Sequence, residues 1–117
     1  MAVGTITRKA VDPHGVRTMS IGDIKVTLTT VVGSGSYTTG GDSLTYKQLG
    51  LNNVLYAFCF ITASSGSNCS ADSAAYDAPN KKLMMFSSAD SAGNPLSETA
   101  STTNVSGLTV TIIAFGY

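Results

Sequence analysis

One short segment limits what this chain can become. Leu44-Thr45-Tyr46-Lys47-Gln48-Leu49 is its single run of helical character, about one and a half turns, and it is fenced by Gly40-Gly41 before it and Gly50 after it. The glycine pair frees the backbone for positive φ, Ser43 stands where it can cap a helix start, and Gly50 can end the turn in the left-handed region. Everything else reads as strand or loop, so the core has to be built from sheets.

The strands are legible from their periodicity. In residues 24–32 apolar and polar side chains alternate, which on a period-2 strand puts Ile24, Val26 and Leu28 on one face. Residues 53–62 are almost wholly apolar, rich in β-branched and aromatic types, and predict a central strand covered on both faces. Residues 74–77 and 81–86 flank Ala78-Pro79-Asn80, a hairpin signal, and residues 105–117 close the sequence on a β-branched strand. Before all of these, residues 3–8 and 16–21 form two polar-alternating runs around the turn Asp12-Pro13-His14-Gly15, and residues 1–20 are expected as an arm or as edge strands. The polar segment 87–106, with its turn Gly93-Asn94-Pro95, predicts a long loop or edge strand. Together these predict an all-β, antiparallel β-sandwich of jelly-roll-like type over residues 21–117 with one short helical turn. Its core is expected to include Ile24, Val26, Leu28, Leu55, Phe58, Leu83, Val110 and Ile112.

At 117 residues the chain is the size of one domain. Seven basic and seven acidic side chains cancel, and charged residues make up only 12% of the sequence, about half the usual share. Such a surface suits packing against neighbours in an assembly. Residues 1–25 hold Arg8, Lys9, Arg17 and Lys25 against Asp12 and Asp23, too small an excess for nucleic-acid binding. No apolar run reaches the roughly 18 residues of a membrane span, and no leader pattern opens the sequence, so neither a membrane nor an export route is expected. Of the two cysteines, Cys59 lies in the apolar strand and Cys69 in a serine-rich turn. Two free thiols is the preferred reading, with a disulfide closing that hairpin as the alternative.

Catalytic chemistry finds little to work with. His14 is the sole histidine and sits in a Pro-Gly turn, and it is not clustered with Cys59 and Cys69 as metal ligands would be, so no metal and no cofactor is expected. Asp72, Asp77 and Asp90 each stand beside turn residues, where aspartate is an ordinary turn former, so a glycosidase-like carboxylate pair is not favoured. Gly33-Ser34-Gly35 and Gly40-Gly41 lack the Lys-Ser or Lys-Thr of a phosphate loop. The chain is not expected to be an enzyme.

Three segments carry a resemblance. Tyr37, the Gly40-Gly41 turn, the Leu44 helical turn and Gly50-Leu51 form the first; Tyr76-Asp77 followed by Asn80-Lys81-Lys82-Leu83 is the second; Gly107-Leu108-Thr109-Val110 is the third. Across residues 24–117 they resemble the head decoration, or cement, proteins of tailed bacteriophages. The resemblance implies a β-rich protomer on the outer surface of the phage head, tying major capsid proteins together where capsomers meet. It also implies a homo-oligomer, with a trimer preferred and a dimer possible, made in the bacterial host cytoplasm and resident in the virion. Arg8, Lys9, Arg17, Tyr37 and Tyr46 are the expected contact residues toward capsid or neighbouring protomer. The serine-rich insertion carrying Cys69 departs from the family pattern. A tail-fibre or carbohydrate-recognition sandwich, binding through loops 64–68 and 88–103, is the rival reading, although neither loop holds the aromatic that sugar stacking wants.

Overall fold

Nine strands and one 3-10 turn make up the regular structure among the described residues of the computed structural model, which are 2–11, 13–64, 66, 71–87 and 97–117. The strands are β1 (Ile6–Lys9), β2 (Thr18–Ile21), β3 (Ile24–Val32), β4 (Asp42–Ser43), β5 (Val54–Ser64), β6 (Ser73–Asp77), β7 (Lys82–Ser87), β8 (Ser97–Glu98) and β9 (Leu108–Gly116). They form two antiparallel sheets. The larger runs β1-β3-β9-β5, with β2 also on β3; the smaller runs β4-β7-β6, with β8 also on β7.

The sheets share one core, as an all-β sandwich requires. Val31, Leu108, Val110, Ile112 and Ala114 face it from the large sheet, and Ala74, Leu83 and Met85 from the small one. The expected hairpin forms as β6 on β7, with Tyr76 opposite Leu83 and Asp77 opposite Lys82. β1 and β2 lie end to end along β3, and β2 runs one residue past the expected boundary at residue 20, to Ile21.

The segment around the helical turn plugs the sandwich. Tyr37, Leu44, Leu49 and Leu51 are all buried in the core. Gly40 and Gly41 take positive φ, and a side chain on Gly41 would press into Lys82 and Leu83. The turn itself is a 3-10 piece, Lys47–Leu49, which Gly50 ends at φ 82°. Its start is not capped by Ser43, which belongs to β4. Instead Thr45 and Gln48 bond reciprocally: the Gln48 amide N–H donates to Thr45 Oγ1 at 3.3 Å and the Thr45 N–H to Gln48 Oε1 at 2.8 Å, a capping box.

Several expected core residues lie elsewhere. Leu83, Val110, Ile112 and Val26 are buried, but Leu55 is 45% exposed, Phe58 55% and Ile24 37%, and Leu28 is only half-buried. Ile24, Val26 and Leu28 do share one face, but it is the outer face of the large sheet. β5 is an edge strand with an open outer face, not a central covered one. Asp12 of the expected Asp12-Pro13-His14-Gly15 turn, the Cys69 pairing, Asp90 and the Gly93-Asn94-Pro95 turn fall outside the described residues, while Pro13 and His14 do form a turn.

Candidate interaction surface

The inversion of the large sheet starts on β9. Its alternation puts Leu108, Val110, Ile112 and Ala114 inward and therefore Thr109, Thr111, Ile113 and Phe115 outward. Antiparallel register then fixes β3, because side chains of directly opposed residues share a face. Thr27, Thr29 and Val31 stand opposite Ala114, Ile112 and Val110 and go in; Val26 and Leu28 stand opposite Phe115 and Ile113 and go out. Two threonines are thereby buried completely, and their hydroxyls find no partner among the described residues.

On β5 the same outcome comes from a bulge. Val54 pairs with Gly116 and faces the core, but the register slips between Val54 and Tyr56, leaving Leu55 as an extra residue. Without that slip Tyr56, Phe58 and Phe60 would follow Val54 inward. With it, Ala57, Cys59 and Ile61 turn inward and the three aromatics turn out. Gly116 permits the arrangement, since any Cβ there would collide with the Asn53 carbonyl.

The outcome is an apolar surface on the outer side of the large sheet. Tyr56, Phe58 and Phe60 line its β5 margin at 68, 55 and 52% exposure. Phe115 meets Phe58 edge to face, ring centroids 6.0 Å apart. Ile113, Leu28 and Val26 continue the patch across the sheet, and Met19 and Ile21 on β2, opposite Val26 and Ile24, extend it to the far side. Toward the other end of the strands the same face becomes hydroxylic, with Thr7, Thr30, Thr62 and Thr111; Thr62 and Thr111 hydroxyls lie 2.9 Å apart. Lys9, opposite Leu28, is the only basic or acidic side chain among the described strand residues of this face.

The residues expected to make contacts are scattered. Lys9 lies on the margin of this face and Arg17 is exposed beside β2. Arg8 is turned to the opposite side of the sheet, where its Nη2 donates to the Arg17 carbonyl at 2.7 Å and to Thr18 Oγ1 at 3.2 Å, and its guanidinium covers Gly50. Tyr37, 1% exposed, is an internal brace: its hydroxyl donates to Glu98 Oε1 at 2.8 Å and accepts from the Met85 N–H at 3.1 Å. Burial, with the Glu98 carboxylate adding to it, pushes that phenol well above its ordinary value. Tyr46 is half-buried, donates to the Ala78 carbonyl at 2.7 Å, and lies beneath the Lys81 ammonium, 4.9 Å from the ring centre.

Two carboxylates serve as staples. Asp42, 1% exposed, accepts the Ser34 hydroxyl at 2.6 Å and the Thr38 N–H at 3.1 Å. Glu98 takes the Gly40 N–H as well as Tyr37. Asp77 accepts Asn80 Nδ2 across its own turn, as a turn former does. The Cys59 thiol faces inward, and burial pushes its pKa up to about 12, which suppresses the thiolate. Among the described residues no three His, Cys, Asp or Glu side chains gather as metal ligands, and no helix is long and apolar enough to cross a membrane. A shallow hollow of about 280 Å³ between Lys25, Lys47, Leu51, Asn52 and Tyr117 is lined by no Asp, Glu, His, Ser or Cys side chain.

Sequence reasoning missed the aromatic row as a surface because it read residues 53–62 as covered on both sides. One signal was present: between Tyr56 and Phe60 every second residue, Ala57 and Cys59, is small, while the large rings share a face. Comparison with protein-family models, with curated proteins and with solved structures found no match to this chain.

Proposed function

We propose that this chain is a structural assembly protein of a virion, a decoration protein that binds the outer surface of a tailed-phage head and stabilises contacts between major capsid proteins. The observation that carries the reading is the uncovered apolar face of the large sheet, larger and less charged than the patches a protein working alone in solution normally presents. A chain of this kind gains function when that face is covered. The low charge of the whole sequence and the segments resembling cement proteins support the same reading.

The rival, carbohydrate recognition, draws some support from Tyr56, Phe58 and Phe60, three exposed rings in line on one strand. Sugar hydroxyls also need directional partners, and the rings are flanked by Ile113, Phe115, Leu28 and Val26. That surroundings favour a dry protein contact.

The test is co-sedimentation of the purified chain with expanded phage heads, followed by heat and chelator challenge of heads with and without it. Saturable binding and a raised temperature of DNA release are expected. Heads that neither bind the chain nor gain resistance would refute the decoration role.

A further inference from the structure

We infer that the apolar outer face of the large sheet is an isologous contact, covered by the same face of a second copy of this chain. The inference concerns the protomer itself and does not rest on the virion reading.

Area is the first argument. At roughly 200 Å² for a fully exposed ring side chain, Tyr56, Phe58 and Phe60 leave about 350 Å² of aromatic surface open. With Met19, Ile21, Ile24, Leu28, Ile113 and Phe115 the face offers on the order of 700–800 Å², one partner's share of a standard interface. The described fold already has its own sandwich core on the other side of this sheet, so nothing described in the chain is left to cover it.

Charge is the second argument. A different partner is selected by complementary charges, and among its described strand residues this face holds no carboxylate and, of the basic side chains, Lys9 alone, at its β1 margin. A two-fold contact sets each group near its own copy or an adjacent one, which a charged face could not accept and an uncharged one can.

The gradient along the face sets the geometry. A two-fold axis near Phe58 and Ile113 puts ring rows against aliphatic side chains of the partner and leaves the Thr7, Thr30, Thr62 and Thr111 end at the rim, where hydroxyls can stay hydrated. Stacked sheets lie about 10 Å apart with strand directions within about 30°, so the pair becomes four layers of sheet. Such a contact closes on itself as a dimer, whereas a trimer needs two different patches.

The mass of the full chain across a concentration series, by light scattering and sedimentation equilibrium, decides first. A dimer of about 24 kDa, twice the 12.0 kDa of one chain, is expected at micromolar concentration. Phe58→Glu and Phe58→Lys should each weaken the pair about thirtyfold or more, as loss of a central contact does, and an equal mixture of the two should recover the dimer. A wild-type chain that is monomeric at 100 µM or so overturns the inference, and so does a trimer of about 36 kDa. A dimer untouched by both substitutions in folded variants overturns the choice of face. If a variant fails to fold, Tyr56→Ser, at the most exposed ring, replaces it with the same expectation. A monomer that binds heads through Phe58 gives the face to another protein and overturns the second-copy assignment while leaving the decoration role standing.

Discussion

Replacing Thr29 by valine should stabilise the fold. Thr29 lies on the inner side of β3 opposite Ile112, its side chain is 0% exposed, and its hydroxyl has no partner among the described residues. A buried hydroxyl left unsatisfied costs about 1–3 kcal/mol, and valine keeps the branched shape while putting a methyl where the oxygen was. Strand preference is little changed between two β-branched residues. A net gain of about 1–2 kcal/mol follows. For 117 residues the unfolding entropy is on the order of 250 cal/mol/K, so melting should rise by roughly 4–8 °C. The assay is thermal and urea unfolding by circular dichroism at fixed protein concentration, with the urea slope unchanged between variants. Val31→Thr, two residues along on the same inner face and equally buried, is the opposite control and should lose about 1–3 kcal/mol. A Thr29→Val protein that melts lower than wild type would mean that the hydroxyl is satisfied in solution, for instance by a buried water, and the argument about this face would fail.

Other perturbations separate the two faces of the large sheet. Leu83→Ala, at 1% exposure, should cost about 2–5 kcal/mol of folding free energy, while Phe58→Ala should cost only about 1 kcal/mol when measured in solution dilute enough for monomer; equal losses would contradict the outward placement of β5. Gly116→Ala should destabilise by about 3 kcal/mol or more, since its Cβ meets the Asn53 carbonyl, and a neutral result would show that the bulge at Leu55 can relax. Burial raises the Tyr37 and Tyr76 phenols above the ordinary value of 10.0, so the folded chain holds both protons longer than the unfolded chain does. Stability from these two groups is complete below about pH 10 and is lost as pH climbs above it, so the 295 nm absorbance should show part of the phenolate signal appearing only together with unfolding. The Cys59 thiol, with its pKa at about 12, should react with a disulfide reagent at pH 8 only as fast as the strand opens, and denaturant should release it.

What could be read from the sequence was whatever short-range chemistry decides. Ala78-Pro79-Asn80 fixes the β6–β7 hairpin because the turn dictates the register of its two arms. Gly50 stops the 3-10 turn because little else tolerates φ 82°. The antiparallel sandwich follows from alternation in β3 and β9. What escaped was the direction of the large sheet's two faces. Whether Ile24, Val26 and Leu28 point in or out depends on their partners in β9, and whether Phe58 points in or out depends on Gly116 approaching Asn53; both are contacts between distant parts of the chain. The Thr45 and Gln48 capping box is visible in principle, three residues apart at the head of the turn, but Ser43 two residues earlier is an equally good capping type and only the pairing of β4 with β7 removes it. Tyr37 could not be told from a surface tyrosine, because its partners Met85 and Glu98 lie 48 and 61 residues further along the sequence.

The position of β9 between β3 and β5 also sets the order in which the chain can be completed. As residues leave the ribosome, β3 and then β5 emerge with their common neighbour still untranslated, while the β6–β7 hairpin can close within itself. For that interval β5, with no Pro, no Gly and no charged side chain between Val54 and Ser64, is an unpaired apolar strand of the kind that seeds aggregation. Pairing Val26 with Phe115 joins residues 89 positions apart, so this step is a long loop closure and should be slow. Yield of soluble protein should therefore respond to anything that lengthens the wait for residues 108–116, such as rare codons placed after β7, more strongly than to equal delays placed before β3.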